Sequence, residues 1–315
     1  MGAVRDYRVV DRTAAALGCS CRAEEPLAPR TTFQIGGPAD RLITVETSAQ
    51  LEGLLPVLAE EDVPVLLLGR GSNLLVGDRG FRGAALCLAG QFRQVALLPD
   101  GVTLRAGAGA SLASACAFAR EKALTGLEFA WGIPGSVGGA VYMNAGAYGG
   151  EVKGILNRVS FLDGTGEEHT LPVEELALSY RHSVFMERGG VITEAVFALQ
   201  PGDKALIKDQ MVELYARRRE KQPLEFPSAG STFKRPAGAY ASALIEQCGL
   251  KGFSVGGAQV SQKHSGFVVN TGGATAAQVK ELMQRVVQAV EEKTGYRLEP
   301  EVQGLPEGLL RELEY

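Results

Sequence analysis

A glycine-rich stretch with large apolar side chains constrains this chain more than any other feature. Residues 126–151 read GLEFAWGIPGSVGGAVYMNAGAYGGE, eight glycines in twenty-six residues with no lysine, arginine or histidine. Flexible Gly/Ser linkers lack side chains such as Phe129, Trp131 and Tyr142. Glycine beside such bulk indicates backbone that approaches a flat ligand closely, and successive N–H groups hold an anion without a cation. The stretch favours a bound dinucleotide with a large aromatic ring over a buried run of turns.

The composition is that of an ordinary globular protein with a large share of glycine. Of 315 residues, 45% are hydrophobic, 22% are charged and 40 are glycine, and this length predicts two or three domains. The net charge of −4 argues against a nucleic-acid partner, since phosphate-tracking surfaces are basic. No apolar run approaches the ~20 residues of a membrane span, and the first residues lack the apolar core of a signal peptide. We therefore expect a cytoplasmic protein with no membrane partner.

The cysteines and histidines do not form a metal-ligand pattern. The five cysteines are an odd number without a C-x-x-C pair, and the three histidines are far apart in sequence. Structural metal sites need such ligands at short, paired spacing. We expect reduced, mostly buried thiols and no metal. The residues concerned are Cys19, Cys21, Cys87, Cys116, Cys248, His169, His182 and His264.

Hydrophobic periodicity in the first 130 residues predicts strands and helices in alternation. Residues 41–47 and 63–68 alternate as strands, and between them Ser48 is the predicted N-cap of a helix with leucines at i, i+3, i+4 and i+7. A further helix is predicted to start after Ser111 and to stop at Gly126. Together these elements indicate an α+β organisation.

The remainder of the chain predicts a sheet followed by two longer helices. Residues 156–200 contain the short alternating runs RVSFLD, HTLPV, SVFME and VITEAVFAL, which indicate an antiparallel or mixed sheet. One helix is predicted at about 204–221, before Pro223. Another is predicted between the cap Thr275 and the terminator Gly295. The cluster RRREK near the end of the first helix suits either solvated charges at a helix C-terminus or a diphosphate site.

Two short motifs resemble known signatures without their structural context. The loop from Gly69 to Asn73, GRGSN, starts like the dinucleotide fingerprint, but Leu74 occupies the third glycine's place, so a Rossmann fold is not predicted. Its N–H groups still suit a pyrophosphate. The pair STFK at 231–234 and KTG at 293–295 matches penicillin-binding serine enzymes. The first lies between a glycine and a proline and the second closes a helix, so we reject acyl transfer.

The chain resembles the UDP-N-acetylenolpyruvoylglucosamine reductases, and the resemblance runs from about residue 32 to 302. It rests on eight segments in the family's order: TTFQIGGPAD, GRGSNLLV, the glycine-rich stretch, SYRHSVF, AGSTFKRP, ALIEQCGLKG, GGAQVSQKHSGFVVN and LEPEV. The resemblance implies a vanillyl-alcohol-oxidase type of FAD-binding fold with two α+β subdomains, 1–90 and 91–200, and an α+β substrate domain, 201–315. The chain has no tyrosine-bearing insertion after SYRHSVF, which is typical of the family's shorter, second type.

The same resemblance implies a non-covalent FAD, NADPH as hydride donor and a nucleotide-sugar substrate, in a protein that we expect to be a monomer. Backbone and small side chains of three segments would contact the FAD. These positions are Ile35, Gly36, Gly37, Gly69, Arg70, Gly71, Ser72, Asn73, Gly132, Ile133, Gly135, Ser136, Gly138, Gly139 and Asn144.

Catalytic roles also follow from the resemblance. Arg181 matches the arginine that binds the substrate carboxylate. Glu301 matches the catalytic glutamate, and we expect a raised pKa for it. Ser231 matches the residue that donates a proton to carbon. Taken from the residues alone, the favoured interpretations are a structural ion pair for Arg181, a surface charge at a strand end for Glu301 and a turn residue for Ser231; only the family resemblance favours the catalytic roles. Arg235 stands where many relatives have asparagine. Substrate contacts are implied for Tyr148, Arg218, Lys221 and His264.

The leading hypothesis is NADPH- and FAD-dependent reduction of UDP-N-acetylglucosamine enolpyruvate to UDP-N-acetylmuramate. Another non-covalent FAD oxidoreductase of the same fold is the alternative within enzymes. A non-catalytic nucleotide-sugar-binding protein is the alternative from another class. Flavin absorbance separates the first two from the last.

Overall fold

The computed structural model describes residues 5–313, and these divide into two compact units that are interleaved along the sequence. The first unit contains the residues up to Ala23, then Arg41–Gly69 and Gly83–Ala216. The second contains Glu24–Asp40, Arg70–Arg82 and the chain from Arg217 onward. Among the described residues, none of the helices combines the length and the apolar character that crossing a bilayer requires.

Helices and strands occur in mixed order in both units. The helices are α1 Arg8–Ala16, α2 Ser48–Glu60, α3 Leu112–Glu121, α4 Val137–Tyr142, α5 Phe185–Arg188, α6 Lys204–Lys221, α7 Ala241–Gln247 and α8 Ala276–Thr294. The strands are β1 Ser20–Pro26, β2 Pro38–Val45, β3 Val65–Leu67, β4 Leu74–Val76, β5 Phe81–Leu88, β6 Val95–Leu97, β7 Thr103–Gly107, β8 Leu124–Thr125, β9 Gly146–Ala147, β10 Gly150–Glu151, β11 Leu156–Leu162, β12 Glu168–Pro172, β13 Val191–Ala198, β14 Gln200–Pro201, β15 Ser228–Ser231, β16 Ser254–Val255, β17 Ala258–Val260, β18 Phe267–Asn270 and β19 Gln303–Leu305.

The first unit has two apolar cores, each between a sheet and helices. A four-stranded sheet in the order β1-β2-β5-β3 packs with α1 and α2, whose leucines at 51, 54, 55 and 58 are buried. A five-stranded sheet in the order β12-β11-β13-β7-β6 is antiparallel at every pairing and packs with α3 and α4. The predicted sheet in 156–200 is thus confirmed as β11, β12 and β13.

The second unit is built on an antiparallel sheet and the long helix α8. The strand order is β15-β18-β17-β16, and α7 and α8 bury one apolar face against it. The predictions for α8 are confirmed: Thr275 forms a capping box with Gln278, and Gly295 ends the helix in the left-handed region at φ +74. A parallel pair of β4 with β19 joins residues 74–76 to 303–305.

Three local predictions were wrong, each because of a contact or a backbone conformation that the pattern did not show. Thr47, not Ser48, caps α2, because the Thr47 side chain accepts from Gln50 N and forms a capping box. After α3 the left-handed residue is Ala123, at φ +53, rather than Gly126. The run SVFME forms no strand, since Phe185 begins α5 and is buried in the larger core of the first unit.

The serine-enzyme signature is excluded by its placement. Ser231 ends β15 and pairs with Phe267, so the motif STFK does not open a helix. Lys293 lies in the last turn of α8, so KTG is not on a strand. Acyl transfer of that type therefore has no structural basis in this chain.

Candidate active site

The glycine-rich stretch folds into short turns that pack against the loop after β7. Ser136 caps α4, and its Oγ accepts a hydrogen bond from Gly139 N at 3.2 Å. Gly138 N donates to Ala108 O at 2.9 Å, and a Cβ at Gly138 would lie 2.9 Å from the Ala108 Cβ. Since that distance is too short for any side chain, glycine is required there. The predicted sharp, close-packed backbone is therefore present.

Gly69 lies against Ser136, so two segments predicted to contact the cofactor meet within the first unit. A Cβ at Gly69 would lie only 2.4 Å from the Ser136 Oγ and 3.3 Å from its Cβ. The groups that meet here include backbone N–H donors and the Ser136 hydroxyl. This set of donors suits a dinucleotide held by its pyrophosphate and sugar oxygens.

Asn144 is buried and connects the glycine-rich stretch to the SYRHSVF segment. Its side chain is 1% exposed. Its Nδ2 donates to Ser179 O at 3.0 Å and to Glu151 Oε2 at 3.1 Å, and its Oδ1 accepts from Lys153 N at 2.9 Å. These contacts give Asn144 a structural role that the sequence did not predict, because its partners are up to 35 residues away.

Tyr148 occupies the tip of the β9–β10 hairpin. Ala147 pairs with Gly150, so the loop has two residues, Tyr148 and Gly149, with φ of +54 and +87. Two left-handed residues in a two-residue loop are typical of a type I′ turn. The turn leaves the Tyr148 side chain 42% exposed, which suits a residue that contacts a ligand.

Arg181 lies in a second tight turn of the first unit. Ser179 and His182 exchange backbone hydrogen bonds of 3.2 Å in both directions, and Arg181 has φ +56. Its guanidinium carbon lies 5.2 Å from the centre of the Tyr180 ring. A non-glycine residue in this region costs about 1–3 kcal/mol, and such strain is concentrated at functional sites.

In the second unit, the segments around Ile35 and Gly71 are brought together. Thr32 N donates to Gly71 O at 3.2 Å, and a Cβ at Gly71 would lie 2.6 Å from Arg30 O. Gly36 has φ +131, and its Cβ position is 2.4 Å from the Val76 Cβ. A Cβ at Gly37 would lie 2.4 Å from Asp78 O. The predicted cofactor positions 35–37 and 70–73 therefore form one closely packed region.

Glu301 and the residues after Ser231 are adjacent in the second unit. Glu301 N donates to Thr232 O at 2.8 Å, and Phe233 pairs with Pro300. Asn73 Nδ2 donates to Glu301 O at 3.1 Å. Glu301 is a buried residue, with 8% of its surface exposed. Asn73, Ser231 and Glu301 therefore lie in one region of the second unit, although up to 228 residues separate them in sequence. The backbone of Glu301 connects them, through its hydrogen bonds with Asn73 and with Thr232, the residue after Ser231.

His264 is half-buried and lies between β17 and β18 in the second unit. Burial lowers the pKa of His264 below its usual value, Lys251 and Lys221 add to this effect, and the charge of Glu246 opposes it. Gly266 N donates to the His264 Nδ1 at 3.1 Å, so Nδ1 acts as an acceptor. Both observations favour the neutral ring.

Arg218 and Arg235 are oriented by their neighbours in the second unit. Arg218 is 8% exposed at the end of α6, and its Nη1 donates to Gln222 Oε1 at 3.1 Å. The Arg235 guanidinium carbon lies 4.5 Å from the centre of the Tyr240 ring. Lys263, which the sequence did not single out, donates from Nζ to Arg219 O at 2.7 Å. This cation at a helix C-terminus has no local sequence signal, since 44 residues separate the two.

Comparisons with known proteins define the class. The family model of an FAD binding domain matches residues 39–172, and that of the UDP-N-acetylenolpyruvoylglucosamine reductase C-terminal domain matches 222–305. The chain is an FAD-dependent oxidoreductase, which confirms the predicted cofactor FAD and enzyme class. The chain belongs to the UDP-N-acetylenolpyruvoylglucosamine reductase family.

Relatives support this assignment over most of the chain. The reductase of this name from Agathobacter rectalis is 49% identical over 90% of this chain and 93% of its own. The one from Caldanaerobacter subterraneus subsp. tengcongensis is 46% identical over 88% and 91%. The crystal structure from Thermus caldophilus, at 38% identity, superposes with a TM-score of 0.78 over 91% and 99%. These matches confirm the predicted α+β fold with its FAD-binding half.

Proposed function

We propose that this protein reduces UDP-N-acetylglucosamine enolpyruvate to UDP-N-acetylmuramate with NADPH, in the synthesis of peptidoglycan precursors in the cytoplasm. The observation that carries the proposal is the 49% identity, over 90% of the chain, with a reductase named for this substrate. The enzyme works as a monomer, without nucleic-acid or membrane partners. We further propose the division into FAD-binding subdomains at 1–90 and 91–200 and a substrate domain at 201–315.

The FAD is held non-covalently by glycine-rich backbone. Bound there, it supplies the transfer of a hydride from NADPH to the methylene carbon of the enolpyruvyl group. The close packing of Gly69 on Ser136 supports this placement, because backbone N–H groups and the Ser136 hydroxyl are available where the two segments meet. The proposed FAD contacts are Ile35, Gly36, Gly37, Gly69, Arg70, Gly71, Ser72, Asn73, Gly132, Ile133, Gly135, Ser136, Gly138, Gly139 and Asn144.

Arg181 binds the substrate carboxylate. Reduction at the methylene carbon places negative charge on the adjacent carbon and, by conjugation, on the carboxylate. A planar guanidinium offers paired donors to a carboxylate and is charged at every physiological pH. Donors fixed in position before the charge develops stabilise it most. The tight turn around Arg181, closed by hydrogen bonds between Ser179 and His182, supports such a fixed position.

Ser231 and Glu301 complete the acid chemistry. Ser231 donates the proton from its Oγ to the carbon that bears the charge, and it regains a proton from solvent. Glu301 acts as a neutral hydrogen-bond donor to the charged state, and its burial favours the protonated form. The hydrogen bond from Glu301 N to the carbonyl oxygen of Thr232, the residue after Ser231, supports a joint role. Tyr148, Arg218, Lys221 and His264 bind the rest of the nucleotide sugar.

The test separates the two half-reactions. Purified protein should show flavin absorbance, NADPH should bleach it anaerobically, and the enolpyruvyl substrate should then restore it. Protein that neither carries nor takes up FAD would contradict the proposal and favour a nucleotide-sugar-binding protein. Flavin that NADPH reduces but that the enolpyruvyl substrate leaves bleached would favour another FAD oxidoreductase.

A further inference from the structure

We propose that His182 is a positioning residue, which fixes the turn that carries Arg181 and so sets the affinity for the substrate carboxylate. The inference rests on the proposed function, because the role of Arg181 is part of it. Glu187 is the partner that holds the His182 ring. Both residues lie in the first unit: His182 follows Arg181 in sequence, and Glu187 lies in α5.

The segment around Arg181 stores backbone strain. Ala177 and Arg181 are both in the left-handed region, with φ of +48 and +56, and neither is glycine. Each such residue costs on the order of 1–3 kcal/mol and persists only where the surroundings over-determine it. Two of the five residues 177–181 thus have strained backbone conformations, which would relax if the contacts that hold them were removed. Side-chain contacts therefore add to the backbone hydrogen bonds between Ser179 and His182 in holding the turn.

The imidazole of His182 supplies two of these contacts at once. Its Nδ1 lies 3.1 Å from Ala177 O and its Nε2 lies 2.7 Å from Glu187 Oε1. A carbonyl oxygen only accepts, so Nδ1 donates to Ala177. A carboxylate oxygen also accepts, so when both ring nitrogens carry a proton the ring makes both bonds at once. A single side chain therefore joins the first strained residue to the helix that follows the turn.

Other side chains hold Leu178, Ser179 and Ser183, and Lys153 Nζ donates to Leu178 O at 3.0 Å, while His182 contacts the carbonyl oxygen of Ala177. Asn144 Nδ2 donates to Ser179 O at 3.0 Å, and Ser183 Oγ donates to Tyr142 O at 2.7 Å. Both contacts attach the segment to the glycine-rich stretch. They explain how the segment is docked, but not how Ala177 is kept in its strained conformation. The His182 ring acts on Ala177 directly, through the 3.1 Å contact of its Nδ1 with Ala177 O.

The experiment measures substrate affinity and flavin reduction separately in H182A. The dissociation constant of the enolpyruvyl substrate is read from the change in flavin absorbance of the oxidised enzyme without NADPH. Loss of two hydrogen bonds, one of them to a charged group, should weaken substrate binding by about tenfold or more. The rate of flavin reduction by NADPH should stay within about twofold, since Arg181 acts on the substrate carboxylate alone.

Two further variants keep the test decisive. Glu187 is exposed over 65% of its side chain, so E187Q should fold and should show the same split with a smaller loss of affinity. The matched control is H169Q, because His169 Nε2 contacts Asp163 Oδ2 at 2.8 Å in a similar pair on β12. H169Q should bind the substrate like the wild type.

The proposal is overturned if H182A and E187Q bind the substrate like the wild type, or if H169Q loses as much affinity. It is also overturned if flavin reduction falls together with substrate affinity. Should the wild type prove inactive with this substrate, the proposed function fails by itself. Amide hydrogen exchange in 177–187 then decides about the turn: it must speed up in H182A and not in H169Q, and unchanged exchange refutes the role of His182.

Discussion

Ser231 lies at the end of β15, and the next residue, Thr232, accepts the Glu301 N–H at 2.8 Å. Ser231 and Glu301 were predicted as catalytic residues only through the family resemblance, and Thr232 and Glu301 are 69 positions apart in sequence. Their adjacency is produced by strand pairing and by the backbone of 299–303. At the scale of residues, long-range pairing is what sequence patterns do not contain.

S231A should separate the two half-reactions. Removing the hydroxyl takes away the proton donor to carbon, while the NADPH step does not need it. We expect flavin reduction by NADPH to persist and reoxidation by the enolpyruvyl substrate to fall by about 10²-fold or more. Stopped-flow absorbance measures both rates. S228A is the control, because Ser228 contacts Thr32 through its backbone N and O. Equal loss of both rates would make Ser231 structural.

His264 should make the folded state less stable as the pH falls. Its pKa is lowered by burial, so the folded protein holds the ring neutral while the unfolded chain takes up a proton near its ordinary pKa of about 6.5. The unfolded state then binds more protons, and the free energy of unfolding decreases as the pH falls below about 6.5. Urea unfolding from pH 8 to 5 measures this. H264Q should reduce the slope, and an unchanged slope would refute the assignment.

Elements with strong periodicity and caps were predictable, and short elements were not. The helix α6 was predicted at 204–221 and found at Lys204–Lys221, and α8 was found with both predicted ends. By contrast, α4 and the β9–β10 hairpin span six and two-plus-two residues inside the glycine-rich stretch. Their form depends on packing with distant segments rather than on propensity. Local physics therefore determines the long elements, and tertiary contacts determine the site.

T275A should weaken α8 at its start. The Thr275 side chain accepts from Gln278 N in a capping box, and Asp78 accepts from the N–H groups of Ala276 and Ala277 at 2.7 and 3.0 Å. Loss of the Thr275 cap costs about 1 kcal/mol, partly moderated by Asp78. Urea unfolding measures the change. A loss in T275A below about 0.3 kcal/mol would mean that Asp78 alone caps the helix.

G69A should weaken FAD binding, because the two segments predicted to contact the cofactor no longer fit together. The added methyl would lie 2.4 Å from the Ser136 Oγ, and moving that oxygen breaks its bond to Gly139 N. We expect a loss of about 1–3 kcal/mol from this overpacking and a lower flavin content after purification. G154A is the control, since a Cβ there meets no atom within 4 Å. Normal flavin content in G69A would contradict the placement of the cofactor.

At the scale of the whole molecule, the two units are interleaved along the sequence, and this could not be predicted from the sequence. Segments 24–40 and 70–82 lie in the second unit with the chain from 217 onward, although the residues between them lie in the first. Glycines at 36, 37 and 71 allow this, since a side chain at any of them would overlap backbone or the side chain of Val76. The glycine-rich stretch predicted the cofactor, whereas the arrangement of the segments around it depends on contacts across the whole chain.

Product analysis under steady-state turnover tests the proposed reaction most directly. With NADPH and UDP-N-acetylglucosamine enolpyruvate, the purified protein should oxidise NADPH only while the enolpyruvyl substrate is present. Mass spectrometry should find a product that has gained two hydrogens per NADPH consumed. NADPH oxidation at the same rate without the substrate, or a substrate that keeps its mass, would contradict the account.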